Sequence, residues 1–148
     1  MQAYYLHAPD LNALPYAEEI FKLLHSNNIR VALDTGFTKL ITDTIIERLG
    51  WEKNGLVDFI ISSDEVPQGR PYPYMIEAAM DQLNITEVNH VVKVGDTEVD
   101  IEEGRNAGCG LVISVTTGAY SREELGKFYP DHIIGSLEEL PAILNLKV

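Results

Sequence analysis

Residues 91–100, which read VVKVGDTEVD, contain the pattern that decides the fold. The apolar run interrupted by Lys93 predicts a buried strand, and Gly95 allows the backbone to turn tightly at its end. Asp100 follows Asp96 by four residues, which places it in the first turn of the next helix. The two carboxylates can converge on a divalent cation that prefers oxygen ligands. Alternatively, Asp96 is a turn residue and Asp100 an acid favoured by the helix dipole.

Two further polar clusters follow predicted strands upstream of this stretch. Thr35 and Gly36 end an apolar run, so the hydroxyl and nearby N–H groups can hold a phosphate oxygen; otherwise Thr35 is a turn residue that opens the next helix. Arg70 lies in the loop 64–73, whose prolines restrict where its side chain points. Its guanidinium suits a phosphate clamp at the sheet edge, whereas alone it reads as a solvated surface arginine.

The chain outside these clusters alternates helical and strand patterns without an internal repeat. Apolar residues at helical spacing predict helices, and short continuous apolar runs predict strands that are buried on both faces. The predicted helices lie at about 15–28, 38–49, 76–83 and 100–106, and the predicted strands at about 29–33, 57–63, 91–94, 111–115 and 132–134. Ser121 and Ser136 begin predicted capping boxes. This order predicts an α/β fold with a Rossmann-like, doubly wound and mostly parallel sheet.

Composition and charge exclude several classes of function. The 148 residues suit one domain, and their 11 basic and 23 acidic side chains give a net charge of −12. A chain with this charge has no overall attraction for nucleic acid or an anionic membrane. An anionic ligand would therefore have to be bound by a helix N-terminus, a metal or a cationic side chain held at the site. Cys109 is the one cysteine, no apolar run approaches a membrane span, and the N-terminus lacks the regions of a signal peptide. We therefore expect a cytoplasmic protein.

The order and spacing of the three clusters resemble the haloacid dehalogenase-like (HAD) hydrolase superfamily, in particular its phosphonatase-like (phosphonoacetaldehyde hydrolase-like) branch. Residues 31–37 (VALDTGF) are similar to the second motif of that superfamily, 69–73 (GRPYP) to the third and 95–101 (GDTEVDI) to the fourth. The later segment 117–120 (TGAY) also resembles phosphonatase-like members. The resemblance covers nearly the whole chain, from Leu14 to Leu144.

The resemblance implies a role for each candidate residue. Thr35 would hydrogen-bond a phosphoryl group with the N–H of Gly36 beside it. Arg70 would bind that group and balance the charge of the nucleophile. Asp96 would ligate Mg²⁺ directly, and Asp100 would support the metal or its waters. These roles suit phosphoryl transfer, which depends mainly on positioning and charge neutralisation.

The sequence departs from the superfamily at the first motif. There an Asp-x-Asp-x-Thr or -Ser supplies the nucleophilic aspartate, and no Asp-x-Asp occurs in the 148 residues. We therefore expect an N-terminally truncated HAD core that lacks its first strand and most of its cap domain, with residues 1–13 as a remnant of cap or linker and 14–148 as the core domain. An empty central position would leave backbone unpaired, so we hypothesise that Gln2–Leu6 fills it, within the chain or from a partner chain. Lys93 then either flanks this position or extends to the sheet edge.

The resemblance therefore implies the catalytic-core part of a Mg²⁺-dependent hydrolase that, in the complete protein, acts on a small phosphorylated or phosphonate metabolite through an aspartyl intermediate. Without the nucleophile, we expect this chain to be inactive alone and to bind Mg²⁺ weakly. The cap lysine of phosphonatases cannot be located, because Lys22, Lys39 and Lys53 lie outside any cap. Two alternatives remain. One is a non-catalytic module that binds an N-terminal half or another copy of itself, and the other is a receiver-like phospho-acceptor domain, in which the Arg70 loop has no place.

Overall fold

Parallel strands form the centre of the molecule, and helices cover both faces of the sheet. A computed structural model describes residues 3–6 and 16–147. In this part of the chain the sheet has six strands in the order β3-β2-β1-β4-β5-β6, and every neighbouring pair is parallel. The structure confirms the predicted α/β, Rossmann-like class.

The strands and helices alternate along the chain. The strands are β1 (Ala3–Leu6), β2 (Arg30–Thr35), β3 (Phe59–Ser62), β4 (Val91–Gly95), β5 (Leu111–Val115) and β6 (His132–Ile134). The helices are α1 (Ala17–Ser26), α2 (Lys39–Leu49), α3 (Tyr74–Gln82), α4 (Glu98–Ala107), α5 (Arg122–Gly126) and α6 (Leu140–Leu144). No helix in the described part of the chain is both long and apolar enough to cross a bilayer.

The strand β1 occupies the middle of the sheet, in parallel register with β2 on one side and β4 on the other. This is the central position for which the sequence hypothesis required a strand from Gln2–Leu6, and Gln2 itself lies outside the described residues. With β1 in place, the edges of β2 and β4 that face the centre of the sheet have a strand to pair with. The division into residues 1–13 and 14–148 stays a prediction.

Alternating side chains of the strands divide the core into two layers. Val31 and Leu33 of β2 pack in the layer that contains α1 and α6, whereas Ala32 between them packs in the layer of α3, α4 and α5. Both faces of the sheet are therefore buried, as the continuous apolar runs predicted. Because α3 and α4 follow parallel strands, the loops that lead into them lie at the carboxyl edge of the sheet.

The helix α2 buries a different face from the predicted one. Ile41, Ile45 and Leu49 recur at every fourth position of the sequence, a spacing that predicts one buried stripe. In the structure Ile41 is 48% exposed, and Thr42 is the residue of this helix that is buried. Ile46 and Leu49 pack partly against the core. Two adjacent stripes share Leu49, and helical spacing alone cannot distinguish them.

Capping chemistry explains where the helices begin and end. Gly50 and Gly108 adopt the left-handed conformation directly after α2 and α4, with φ of 69° and 85°. Thr97 caps the N-terminus of α4 through its side chain. The capping boxes predicted at Ser121 and Ser136 are confirmed.

Trp51 links α1 to the segment that follows α2. Its side chain is fully buried, and its ring meets that of Phe21 edge to face, with centroids 5.1 Å apart and planes at 88°. Its indole Nε1 donates a hydrogen bond to Oε2 of Glu18 at 2.9 Å. The residue therefore combines a large buried area with a satisfied polar group.

Replacing Trp51 with alanine should lower the free energy of unfolding by about 3–5 kcal/mol, because it empties a packed site and removes the partner of Glu18. Leu40→Ala on α2 is the matched control: that side chain is 79% exposed, and its loss should cost less than about 0.5 kcal/mol. Urea unfolding followed by circular dichroism measures both changes. A loss for Trp51→Ala no larger than that of the control would contradict the packing described.

Candidate functional site

The carboxyl ends of three strands carry the candidate residues. Thr35 is the last residue of β2, Asp96 directly follows β4, and Arg70 lies in the loop between β3 and α3. The structure brings Arg70 into contact with Asp100 and against Gly36. Thr35 and Asp96 end the strands on either side of β1. All five residues therefore belong to one edge of the sheet.

Arg70 is held inside this edge rather than at the surface. Its Nη1 donates to Oδ1 of Asp100 at 2.8 Å, and its side chain is 17% exposed. Its Nη2 lies against Gly36, where a Cβ would come within 2.8 Å of that nitrogen. A side chain at position 36 would therefore push the guanidinium aside. The alternative of a solvated surface arginine is wrong.

Asp100 is engaged by protein donors at both carboxylate oxygens. Its Oδ2 accepts from the N–H of Asp96 at 3.0 Å, and from the N–H and hydroxyl of Thr97 at 3.1 and 3.0 Å. Its Oδ1 accepts from Arg70 and lies 3.6 Å from Nζ of Lys93. The geometry therefore suits Asp100 to orienting the turn and Arg70, and leaves it poorly placed for direct metal ligation.

The turn after β2 is built around Thr35. Its Oγ1 accepts from the N–H of Phe37 at 3.1 Å, which leaves the hydroxyl proton available to donate to a ligand oxygen. Two residues that the sequence analysis missed brace this turn. The hydroxyl of Ser63 donates to the carbonyl of Gly36 at 2.9 Å, and Asp64 accepts from the first N–H of α2 at 2.9 Å. Their position just after β3, at the same sheet edge, was the available signal.

Asp96 lies in a narrow space between two loops. Its side chain is almost fully buried, and a Cβ at Gly118 would overlap its Oδ2. A Cβ at Gly95 would likewise overlap the carboxylate of Asp100. The segment after β5 therefore approaches Asp96 so closely that only glycine fits at position 118. From the sequence, Gly118 after the apolar run 111–115 is expected to be a turn residue, and nothing in the pattern indicates this contact.

The donors around Asp96 determine which metal the site can hold. Among the described residues, no group of three or more His, Cys, Asp or Glu side chains is placed to hold a metal ion. Mg²⁺ in phosphoryl-transfer sites takes one or two carboxylates together with waters and phosphate oxygens. Asp96 supplies one such carboxylate, while Asp100 is committed to protein donors. The donor set fits a Mg²⁺ ion shared between Asp96, water and a phosphorylated ligand, and it does not form a closed protein cage.

Lys93 lies beneath the site, and its side chain has no exposure to solvent. Its Nζ is 2.9 Å from Oδ1 of Asp34, 2.9 Å from Oε1 of Glu103 and 3.6 Å from Oδ1 of Asp100. The lysine therefore flanks β1, and the alternative in which it extends to the sheet edge is wrong. The sequence analysis assigned no role to Asp34 or Glu103. Asp34 could have been recognised because it is a charged residue within the apolar run of β2. Glu103 could have been recognised because it follows Asp100 by three residues and so shares its helix face.

Protonation is uneven within this buried cluster. Burial raises the pKa of Glu103 from its ordinary 4.5 to about 9, against the opposing charge of Lys93. Burial alone would raise the pKa of Asp34, but the charge of Lys93 and a hydrogen bond from Glu103 hold it below its ordinary value. Burial disfavours the charge of Lys93, yet the surrounding carboxylates raise its pKa well above its ordinary value. The directions of these shifts favour an ion pair between Lys93 and Asp34 beside a neutral Glu103.

Comparison with known proteins finds hydrolases. The family model described as haloacid dehalogenase-like hydrolase matches residues 3–108. The phosphonoacetaldehyde hydrolase of Bacillus cereus (strain ZK / E33L) is 31% identical over 124 residues, which cover 82% of this chain and 47% of that protein. The phosphonoacetaldehyde hydrolase of Bacillus cytotoxicus is 41% identical over 95 residues, which cover 64% of this chain and 36% of that protein. The chain thus spans less than half the length of these curated relatives.

A solved structure shares the fold. The phosphonoacetaldehyde hydrolase-like protein from Oleispira antarctica superposes with a TM-score of 0.76 at 22% identity, covering 90% of this chain and 56% of that one. The family match begins at Ala3 and therefore includes β1 as well as every candidate site residue.

The raised pKa of Glu103 predicts a pH-dependent stability. The folded protein holds a proton there that the unfolded chain releases above about pH 4.5, so this contribution to stability is lost as pH rises toward about 9. Glu103→Gln mimics the protonated carboxyl and should flatten the decline, making the variant the more stable protein near pH 9. Urea unfolding at several pH values measures this. Glu102→Gln, on the exposed face of α4, should keep the pH dependence of the parent chain; equal slopes for Glu103→Gln and the parent would refute the protonated state.

Proposed function

Because the chain belongs to the haloacid dehalogenase-like hydrolase family, we propose that its described residues form the phosphoryl-binding half of a phosphonatase-like hydrolase site. The observation that carries this proposal is the position of Arg70. Its guanidinium is fixed between Asp100 and Gly36, next to the turn of Thr35. A cation held at the carboxyl edge of a parallel sheet, beside a hydroxyl and turn N–H groups, is suited to a tetrahedral oxyanion.

Each side chain has a separate task in the proposed site. Arg70 binds phosphoryl oxygens and neutralises charge that develops on them. The hydroxyl of Thr35 donates to another oxygen, and the N–H of Gly36 lies beside it. Asp100 holds Arg70 at its Oδ1 and the turn of Asp96 at its Oδ2, so it acts by orientation.

Asp96 is the proposed ligand of Mg²⁺. When bound, the ion would supply positive charge to phosphoryl oxygens. The contact with Gly118 restricts where the carboxylate of Asp96 can move, because any side chain at position 118 would occupy its space. The burial of Asp96 also limits how many waters reach it.

The sequence contains no Asp-x-Asp, the motif that supplies the nucleophile in the superfamily it resembles. We therefore propose that these 148 residues bind a small phosphorylated or phosphonate metabolite but do not turn it over alone. Phosphonoacetaldehyde belongs to this ligand class and is the substrate named for the relatives in Bacillus. A module that serves only to bind a partner chain would not require Arg70 to lie in the site, and a receiver-like domain has no place for the Arg70 loop.

Inorganic phosphate binding tests the proposed site. The chain should bind phosphate, and Arg70→Ala should weaken binding by about 10- to 100-fold, because it removes a charge-assisted hydrogen-bond donor. Isothermal titration calorimetry measures the affinities, and Arg48→Ala on the exposed face of α2 is the matched control. Circular dichroism establishes that each variant is folded. Equal affinity for Arg70→Ala and Arg48→Ala would overturn the proposal.

Mg²⁺ gives a second test of the same site. Mg²⁺ should bind weakly and more tightly when phosphate is present, and Asp96→Asn should reduce its affinity by about tenfold or more. Asp81→Asn, an equal charge change on the exposed end of α3, should leave Mg²⁺ binding unchanged. The chain should not hydrolyse phosphonoacetaldehyde or p-nitrophenyl phosphate in Mg²⁺. Robust turnover that Asp96→Ala abolishes would contradict the expected inactivity.

A further inference from the structure

The buried ammonium of Lys93 is linked to the candidate phosphoryl site through one carboxylate oxygen. Oδ1 of Asp100 accepts a hydrogen bond from Arg70 at 2.8 Å and lies 3.6 Å from Nζ of Lys93. The two cations therefore approach the same oxygen, Arg70 from the sheet edge and Lys93 from the buried strand β4. Any shift of Lys93 changes the electrostatic field at the atom that holds Arg70.

The position of Lys93 is itself fixed by Asp34. These residues come from β4 and β2, on opposite sides of β1, and their charged atoms are 2.9 Å apart with no exposure to solvent. Asp34 directly precedes Thr35 in the chain. The ion pair therefore joins the two strand ends that carry Thr35 and Asp96.

A simple structural explanation of Lys93 is neutralisation of Asp34. That explanation accounts for the short contact between the two charges, but it gives no reason for the ammonium to lie within 3.6 Å of Asp100 as well. Asp100 already has donors at both oxygens, so it does not require Lys93 for hydrogen-bond satisfaction. The additional contact points to a role that concerns Arg70.

We propose that Lys93 is a positioning residue for the phosphoryl site, which acts through Asp100 to keep the guanidinium of Arg70 against the Thr35–Gly36 turn. The link from Lys93 to Arg70 follows from the geometry of the chain alone. Its effect on phosphate rests on the function proposed above. Lys93 has no solvent exposure and does not itself reach a ligand.

Two variants separate positioning from neutralisation. Lys93→Met leaves Asp34 as an uncompensated buried charge and is expected to be unstable. The double variant Asp34→Asn/Lys93→Met removes one charge of each sign, keeps the charge balance of the cluster and is the variant expected to fold. If Lys93 only neutralises Asp34, the double variant restores the site. If Lys93 positions Arg70, it does not.

The Nε–H resonance of Arg70 in ¹⁵N NMR spectra reports the guanidinium directly. We expect the double variant to be folded by circular dichroism, with a shifted or broadened Arg70 resonance and phosphate affinity about five- to tenfold weaker than the parent's. A folded double variant with the parent resonance and the parent affinity would overturn the proposal.

A measurement on the unchanged chain covers the case in which the double variant does not fold. Addition of inorganic phosphate should shift the ¹⁵Nζ resonance of Lys93, although no ligand can reach this buried ammonium. Saturation with phosphate that leaves Lys93 unmoved would count against the coupling. Absence of any phosphate binding would instead defeat the proposed function, and the Arg70 resonance of the double variant would then still decide the role of Lys93.

Discussion

Burial of the Lys93 charge in the middle of the sheet is the constraint from which the arrangement of the site follows. An ammonium removed from water is costly unless acidic side chains surround it at short distance, and here Asp34, Glu103 and Asp100 do so. Two of these lie on α4, so that helix must pack close to β4. Gly104 permits the approach, because a Cβ there would come within 3.0 Å of Cβ of Lys93. These contacts fix the distance between α4, which carries Asp100, and β4, which ends at the site.

An acidic chain can still offer a site for an anion because two of its eleven basic side chains, Arg70 and Lys93, lie at this place in the fold. The net charge is −12, and most of the described acidic side chains outside this cluster are exposed, where water and salt screen them. Arg70 and Lys93 are instead both buried or nearly so, within contact distance of Asp100. In this low-dielectric region their charge acts over short distances with little screening. Protonation of Glu103 contributes to the same end, since it removes one negative charge from the cluster.

The sequence predicted the features that depend on direction and order along the chain. Parallel strands place their carboxyl ends at one edge, so Thr35, Arg70 and Asp96 were expected to lie on that edge before any contact was known. The sequence pattern could not predict contacts between elements that are distant along the chain. The meeting of Asp34 with Lys93 depends on both the strand order and the placement of β1, and periodicity carries neither.

The sequence also could not predict how individual side chains pack. The buried stripe of α2 runs through Thr42 and Ile46 rather than Ile41, because helix rotation is set by the surface against which the helix packs. The sequence pattern around Gly118 is that of an ordinary turn. Its importance is spatial, because a side chain at this position would overlap the carboxylate of Asp96. The family resemblance supplied roles for residues that follow motifs, but it gave no information on Asp34 or Glu103.

The central position of β1 sets the order in which the sheet can be completed. Its four residues stand near the start of the chain, while one of its two neighbours, β4, begins at Val91. β1 precedes both β2 and β4 in the chain, and it cannot acquire its second partner until β4 has been made. Until then β1 can pair only with β2 and presents an open strand edge, the type of surface on which chains associate wrongly. The pairing of β1 with β4 unites the two halves of the site, so the candidate site cannot form before the centre of the sheet is complete.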